Sequence, residues 1–156
     1  MALSVFSEAY EISVLITNPG AVTNLVLHAA ATKSFVVVYA SIEPAQAALV
    51  TEAGAVIRLV RKTAAGTYTS IAATGFVNLD GTPDATFTAG HTASGEGTDG
   101  DGSSRGWNSK VGFEWRPTPE EYILVPAGVA NGFALKGVTA PPAGIYAFTM
   151  RAHELG

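Results

Sequence analysis

Apolar and polar side chains alternate along the first part of the chain. Residues 10–17 place isoleucine and valine on one face and mainly polar side chains on the other, with Leu15 as the exception on the polar side. This period of two predicts a strand with one buried face. The sequence Asn18-Pro19-Gly20 follows and predicts a turn, because proline and glycine favour the backbone angles of a reversal.

The same kind of pattern predicts further strands along the rest of the chain. The run 35–39 is apolar throughout and rich in β-branched residues, which is typical of a strand covered on both faces. The sequence Ala64-Ala65-Gly66 predicts a hairpin between two neighbouring strands. The predicted strands after the first are residues 25–28, 35–39, 55–62, 67–71, 76–77, 86–88, 107–115, 122–125, 133–138 and 145–151.

Proline and glycine separate these segments at intervals of roughly ten residues. Pro126 ends a strand because it has no N–H to donate to a ladder, and Gly128 and Gly144 supply the positive φ of tight reversals. Residues 43–54 are the only candidate helix, and a loop fits them equally well. The pattern predicts an all-β sandwich or barrel of about eight to ten strands. We expect a single domain over residues 1–156.

Residues 90–106 differ in composition from the rest of the chain. Six of these seventeen residues are glycine, and most of the others are small or acidic. We therefore expect one long, exposed Gly-rich loop. Its acidic part, residues 96–102, has the oxygen donors of a calcium loop, but an EF-hand counted from Asp99 would need glycine at Ser104 and glutamate at Lys110. An acidic loop without metal is favoured, and the sequence leaves calcium binding open.

Charge is the unusual part of the composition. Only 14% of the residues are charged, whereas a typical soluble domain has about 25%. One interpretation is a β protein rich in small residues, and the other is a surface largely covered by further chains. A net charge of -4 with scattered basic residues argues against nucleic acid as a partner. No apolar run has the roughly 18 residues of a membrane span, and the absence of cysteine excludes disulfides and thiolate metal sites.

Three further features could carry chemistry, and each has a simpler explanation. Glu120 and Glu121 are adjacent and would point to opposite faces of a strand, which favours a structural or solvated role. The sequence 102–106 matches the Gly-x-Ser-x-Gly nucleophile elbow in letters, but no strand-to-helix turn is predicted there. His28, His91 and His153 lack the close spacing of common metal motifs. We therefore expect no cofactor, no metal and no enzyme activity.

The aromatic residues near the middle of the chain allow two interpretations. Trp107, Phe113 and Trp115 fall on the same parity, together with Val111. One buried face of a strand, in the core or at a subunit contact, explains this parity more simply than a sugar-stacking platform that would include Tyr122.

Several turns and strand edges together resemble small structural proteins of tailed bacteriophages, the jelly-roll, tumour-necrosis-factor-like proteins that decorate capsids or form head fibres. The resemblance covers most of the chain, and its last forty or so residues carry most of it. The residues concerned are Asn18-Pro19-Gly20, Leu25-Val26-Leu27, Trp115, Pro117-Thr118-Pro119-Glu120-Glu121, Val125-Pro126-Ala127-Gly128, Phe133-Ala134-Leu135, Ala140-Pro141-Pro142 and a final strand that ends near Glu154.

The resemblance implies a jelly-roll β-sandwich of antiparallel strands that forms a homotrimer on the outer surface of the virion. It further implies a decoration or cement protein whose partners are itself and the major capsid protein. Residues 1–9 are expected to form an N-terminal arm, of which 1–7 could add a strand to another chain's sheet. The expected capsid or subunit contacts are Leu3, Val5, Phe6, Phe35, Val37, Tyr39, Trp107 and Trp115.

Two other functions are weighed against this expectation. The alternative is a host-glycan-binding module of a phage head fibre or spike, which would bind through Trp107 or through the segment 90–106. An enzyme of the double-stranded β-helix kind would need a histidine–carboxylate metal triad, and the histidine spacing gives no support for one.

Overall fold

The computed structural model describes residues 8–46, 51–79 and 85–155. Within these ranges the chain forms twelve strands arranged in two six-stranded antiparallel sheets. The expected all-β sandwich is confirmed. The strand number exceeds the expected count because residues 98–108, most of which were expected to be loop, form a strand of their own.

Sheet 1 contains the first and last strands of the described residues. The strand order is β10-β3-β12-β1-β6, and β9 also pairs with β3. These strands are β1 (Glu8–Thr17), β3 (Phe35–Pro44), β6 (Val77–Asn78), β9 (Phe113–Trp115), β10 (Ile123–Val125) and β12 (Ile145–Glu154). β1 and β12 pair without a break from Glu8 opposite Glu154 to Thr17 opposite Ile145.

Sheet 2 has the order β5-β7-β2-β11-β4-β8. Its strands are β2 (Thr23–His28), β4 (Gly54–Ala64), β5 (Thr67–Ile71), β7 (Thr88–Gly95), β8 (Thr98–Asn108) and β11 (Gly132–Thr139). From β1 to β4, and again from β10 to β12, each successive strand lies in the opposite sheet. The strand orders β1-β12-β3-β10 and β2-β11-β4-β8 are therefore those of a jelly roll.

The core lies between the two sheets and is built from alternate residues of most of the long strands. In β1 these residues are Tyr10, Ile12, Val14 and Ile16, as the alternation predicts. Phe87 joins several aromatic rings at one end of the core, where its centroid lies 5.3 Å from Phe35 and 5.5 Å from Tyr10. The single long cluster of buried side chains is consistent with a sandwich stabilised mainly by hydrophobic burial.

Two expectations about connections are corrected. β4 and β5 follow one another in sequence but do not pair, because β4 lies between β11 and β8 while β5 pairs with β7. The proposed hairpin at Ala64-Ala65-Gly66 is therefore wrong. The candidate helix over 43–54 is wrong at its start, since Glu43 and Pro44 end β3 opposite β12. Its residues 47–50 lie outside the described part of the chain.

The segment 90–106 is not a loop but strand, in β7 and β8. The expected exposure is confirmed for residues 101–106, which are all exposed. The expected loop is wrong, because β8 is hydrogen-bonded to β4 along most of its length. β8 is therefore held in place without core-forming side chains of its own in residues 101–106. Its backbone is hydrogen-bonded to β4, and β4 has a buried face. One glycine of the segment 90–106, Gly97, lies in a close crossing of two chain segments.

That crossing brings residues 64–66 against residues 95–97. A Cβ on Gly66 would lie 2.0 Å from the carbonyl oxygen of Gly95, and a Cβ on Gly97 would lie 2.4 Å from that of Ala64. Gly97 also has a φ of +71°, which favours glycine. Just before the crossing, Thr92 adopts a φ of +47°, an uncommon value for a β-branched residue, where β7 leaves its pairing with β2.

The crossing segments cover part of the outer face of sheet 2. Val26, Val60 and Ala134 form a second, small apolar cluster on that face, and Tyr68 of β5 packs against it. The phenol of Tyr68 donates to the carbonyl oxygen of Glu96 at 3.3 Å. Sheet 2 is therefore covered on both faces near β5, whereas the outer face of sheet 1 presents exposed side chains.

Candidate interaction surface

Tyr39 lies on the outer face of sheet 1 between two arginines. The guanidinium carbon of Arg151 is 4.6 Å from the centroid of the Tyr39 ring, and that of Arg116 is 5.5 Å away. Register explains the first contact, because Arg151 in β12 is directly opposite Tyr39 in β3. Arg116 follows β9, which pairs with the same strand. Cation–π contacts of this kind hold the ring in place at the surface.

Carboxylates fix both arginines. Arg151 Nε donates to Glu11 Oε2 at 2.6 Å, and Arg116 Nε donates to Glu114 Oε1. The hydrogen bond from Arg116 to Glu114 raises the pKa of that guanidinium above its ordinary value. The five side chains therefore form an ordered, nearly neutral group, which we call the Tyr39 cluster.

The rest of the outer face of sheet 1 is small and weakly charged. Ser13 and Thr149, on neighbouring strands, are joined by a 3.0 Å hydrogen bond between their hydroxyls. Leu15 is 64% exposed on the same face, and Leu124 is 49% exposed. The face combines exposed aliphatic side chains with tyrosine and arginine, the residues that most often dominate binding energy in protein interfaces.

Three of the predicted contact residues prove to be core residues. Phe35 and Val37 are fully buried, and Trp107 is 8% exposed with its ring edge-on to Tyr146 at 5.7 Å. Their side chains pack the two sheets of one chain together, so we correct their assignment as outer contacts. Tyr39 and Trp115 do reach the surface. Leu3, Val5 and Phe6 lie outside the described residues, as does most of the expected arm.

Trp115 lies in a groove at the side of the sandwich, between β8 and the β9–β10 connection. The groove has a volume of about 340 Å³. Trp115 packs near Phe133, with 6.1 Å between the ring centroids. Apolar side chains form much of the groove, and charged or hydroxyl groups of β8 stand beside them. Its lining residues include Leu59, Asp101, Ser103, Arg105, Trp115 and Phe133.

A buried ionic cluster fixes the turn between β7 and β8. Lys62 is fully buried, and its Nζ donates to Asp99 Oδ1 at 2.5 Å and to Glu96 Oε2 at 3.2 Å. Lys136 Nζ donates to the second oxygen of Asp99 at 2.6 Å. Thr23 donates its N–H and its hydroxyl to Glu96. The carboxylates of Glu96 and Asp99 thus already face two ammonium groups. Both lie in the segment 96–102, for which the sequence did not decide whether calcium binds.

Opposing effects set the pKa values in this cluster. Burial alone would raise the pKa of Glu96 and of Asp99. Hydrogen bonds from Thr23 and Lys62 to Glu96, and from Lys136 and Lys62 to Asp99, outweigh burial and hold both pKa values below their ordinary range. The hydrogen bond to Asp99 raises the pKa of Lys136. The shifted pKa values of Glu96, Asp99 and Lys136 therefore all favour the ion-paired state.

The histidines are spread over the molecule. His28 is buried on the outer face of sheet 2, where its two ring nitrogens make no hydrogen bond with the described residues, although the backbone of 129–131 lies near. Burial lowers its pKa, so the ring is neutral at pH 7. His91 contacts the hydroxyl of Thr92, and burial lowers its pKa too. Among the described residues no group of three or more histidine or acidic side chains could hold a metal ion.

The other two candidate motifs have structural settings. Ser104 lies in the extended strand β8 and is exposed. Glu121 belongs to a single 3₁₀ turn, Pro119–Glu121, and its carboxylate accepts from the N–H of Thr118 at 2.9 Å as part of a capping box. This is a structural role for Glu121, as the sequence favoured.

The sequence did not predict the Tyr39 cluster or the buried ionic cluster, because the members of each cluster are far apart along the chain. Lys62 shares its parity with Val56, Arg58 and Val60, so alternation within the strand gives no signal for its carboxylate partners. In the described part of the chain, no helix is long and apolar enough to cross a membrane. Comparison with known protein families, with curated proteins and with solved structures found no significant match.

Proposed function

We propose that this chain is a non-enzymatic virion structural protein, a trimeric decoration protein that binds the outside of a phage capsid and stabilises it. The observation that carries the proposal is the outer face of sheet 1, where the Tyr39 cluster lies among small and exposed aliphatic side chains. Such a face suits contact with another protein better than chemistry on a small molecule.

The mechanism is surface burial on an assembled shell. A trimer engages several capsid subunits at once, so weak single contacts are multiplied by the effective concentration within the trimer. Binding to the assembled shell and not to its free subunits stabilises the shell by mass action. The major capsid protein and further copies of the chain are the partners in this proposal, and the outer surface of the virion is the location.

Two measurements test the proposal. Size-exclusion chromatography with light scattering is expected to give the mass of a trimer, and the protein is expected to co-sediment with expanded heads but not with free capsid subunits. A stable monomer that does not bind heads would contradict it. Deletion of residues 1–7 is expected to weaken head binding, and unchanged binding would remove the arm from the proposal.

The groove beside Trp115 favours a second candidate, a host-glycan-binding module. Sugar sites commonly combine an aromatic side chain with nearby polar groups, and here Trp115 lies near Asp101 and Ser103. Trp107 no longer supports this function, since it is buried. A glycan array separates the candidates: hits that Trp115→Ala abolishes support the glycan module, whereas no hits together with head binding support the decoration protein.

A further inference from the structure

We infer that β8 docks against β8 of a second copy of this chain, antiparallel, about a two-fold axis at Ser103. β8 spans eleven residues and, among the described strands, pairs only with β4. Every residue from Asp101 to Gly106 is exposed. An edge strand of this length leaves a row of backbone N–H and C=O groups available for a further strand.

The side chains of β8 restrict which strand can be added. Asp101, Ser103 and Arg105 share one face, next to the groove, because Ser103 lies opposite Leu59 in β4 and Arg105 opposite Ile57. Charged side chains on an edge strand normally disfavour the pairing of other chains. A partner strand must therefore supply an opposite charge to each of Asp101 and Arg105.

A second β8 meets this requirement. When Ser103 lies opposite Ser103 of another copy in an antiparallel pair, Asp101 lies opposite Arg105 and Arg105 opposite Asp101. The two ion pairs then occupy directly opposed positions, where opposite charges stabilise a sheet. Specificity comes from the same charges, since a strand without this pattern leaves them unmatched.

The length of the strand selects the same register. Because Ser103 is the central residue of Thr98–Asn108, pairing about Ser103 overlaps the whole strand and brings Thr98 opposite Asn108. The strand is regular from Gly102 to Asn108, and register shifts with β4 disturb it between Thr98 and Gly102. A shift of two residues in either direction shortens the ladder and places Asp101 opposite Ser103 or Trp107. The register with the longest overlap is thus also the register with matched charges.

Glycine makes the approach sterically easy. Gly100 and Gly106 oppose each other across the axis, and nothing lies within 4 Å of a Cβ built at Gly106. The paired strands would also bring the two grooves beside Trp115 together across the axis.

The inference is independent of the proposed function. On a particle it would join neighbouring assemblies, and in solution it predicts a contact between two chains.

A cysteine at the axis provides the first test. The chain contains no cysteine, so Ser103→Cys would introduce one thiol per copy. Directly opposed residues of an antiparallel pair have Cα atoms about 4.5–5.5 Å apart, which is within the range for a disulfide. The matched control is Thr98→Cys on the same strand. Its thiols would be roughly 34 Å apart, at about 3.4 Å of rise for each of the intervening residues.

Covalent pairs on non-reducing gels, formed under diamide, are the readout. Ser103→Cys is expected to cross-link at least about tenfold faster than Thr98→Cys, because only its thiols meet at the axis. Within the Ser103→Cys background, Asp101→Arg or Arg105→Asp alone is expected to slow cross-linking by about tenfold, since each opposes like charges twice. The combined exchange of both charges is expected to restore the rate.

Restoration by the double exchange distinguishes this pairing from a general effect on folding, which circular dichroism of each variant checks separately. Equal rates for the two cysteine variants would overturn the inference. So would single charge variants that cross-link as fast as the parent, or a double variant that remains slow. Occupation of β8 by another protein or by a different segment of the chain would give no covalent pair at Ser103, and would overturn it as well.

Discussion

The ammonium nitrogen of Lys62 lies 2.5 Å from a carboxylate oxygen of Asp99, and the lysine side chain is fully buried. A buried charge that loses its partner is costly, whereas replacing the whole pair by neutral groups is often tolerated. We expect Asp99→Asn to lower the free energy of unfolding by about 1–3 kcal/mol. Lys62→Met combined with Asp99→Asn should recover part of this loss.

Urea unfolding followed by tryptophan fluorescence measures both variants. The matched control is Asp101→Asn, which removes a carboxylate two residues further along the same strand where the side chain is exposed. It should change the free energy of unfolding by no more than about 0.5 kcal/mol. A loss equal to that of Asp99→Asn would show that the ion pair does not hold this turn.

Gly97 and Gly106 are expected to respond differently to the same substitution. Gly97→Ala adds a Cβ 2.4 Å from a carbonyl oxygen at a φ of +71°, so it should lower the free energy of unfolding by at least about 1 kcal/mol. Gly106→Ala meets nothing within 4 Å and should leave stability unchanged or slightly increased. Thermal denaturation compares the two, and equal effects would argue against the close crossing.

Stability should fall between neutral and mildly acidic pH because of His28. Burial lowers the pKa of this imidazole below its ordinary value of 6.5 in the folded chain, so between the two pKa values the unfolded chain binds more protons. Its contribution is therefore fully present above pH 6.5 and is lost as the pH falls from there through the folded pKa. The free energy of unfolding, measured by urea titration from pH 7.5 to 5, checks this.

His28→Gln should make that pH profile flatter. His91→Gln is the comparison, because burial lowers the pKa of His91 as well and its removal should leave the His28 contribution in place. A profile of the His28 variant that has the same slope as the parent would contradict the assignment.

A second loss of stability is expected in stronger acid. Burial alone would raise the pKa of Glu154, but hydrogen bonds from Thr86, Phe87 and Lys33 hold it below its ordinary value of 4.5. A carboxylate with a lowered folded pKa contributes stability above pH 4.5 that disappears as the pH falls through the folded value. Glu154→Gln should therefore lower stability at pH 7 and show a smaller further loss below pH 4.5. A loss of stability below pH 4.5 as large as that of the parent chain would contradict this.

Tyr39 is expected to matter for binding more than for folding. Tyr39→Ala should weaken co-sedimentation with capsids by at least about tenfold, as loss of a central interface tyrosine commonly does, while the circular dichroism spectrum stays the same. Val129→Ser serves as the control, because Val129 is 66% exposed in the connection between β10 and β11 and lies beside His28 on the outer face of sheet 2. Equal binding by both variants would show that Tyr39 is not part of the contact.

Most of the long strands could be predicted because local alternation of apolar and polar residues is enough to indicate a strand. Residues 10–17 and 145–151 show the period of two that the sandwich requires, and the structure confirms both as strands. Residues 90–106 could not be predicted in the same way. β7 is held by its ladders with β2 and β5, β8 by its ladder with β4, and the turn between them by Lys62, which is distant in sequence. The composition of residues 90–106 is typical of a loop.

The surface contacts were harder to predict for a related reason. The run 35–39 is apolar throughout, but in the sandwich Phe35 and Val37 fill the core, so Tyr39 is the one of these three predicted contacts that reaches the surface. Its flanking arginines are brought to it by β9 and β12. No pattern within a single segment contains that information, because strand order decides it.

The adjacency of β1 and β12 delays completion of sheet 1 during synthesis. β12 is the main partner of both β1 and β3, whose other neighbours are strands of two or three residues. Until the ribosome has released β12, the long strands β1 and β3 lack a long neighbour. Closing the chain between β1 and β12 into one loop costs entropy, which makes this step slow. A nascent chain that stalls before this strand would thus expose aggregation-prone edges.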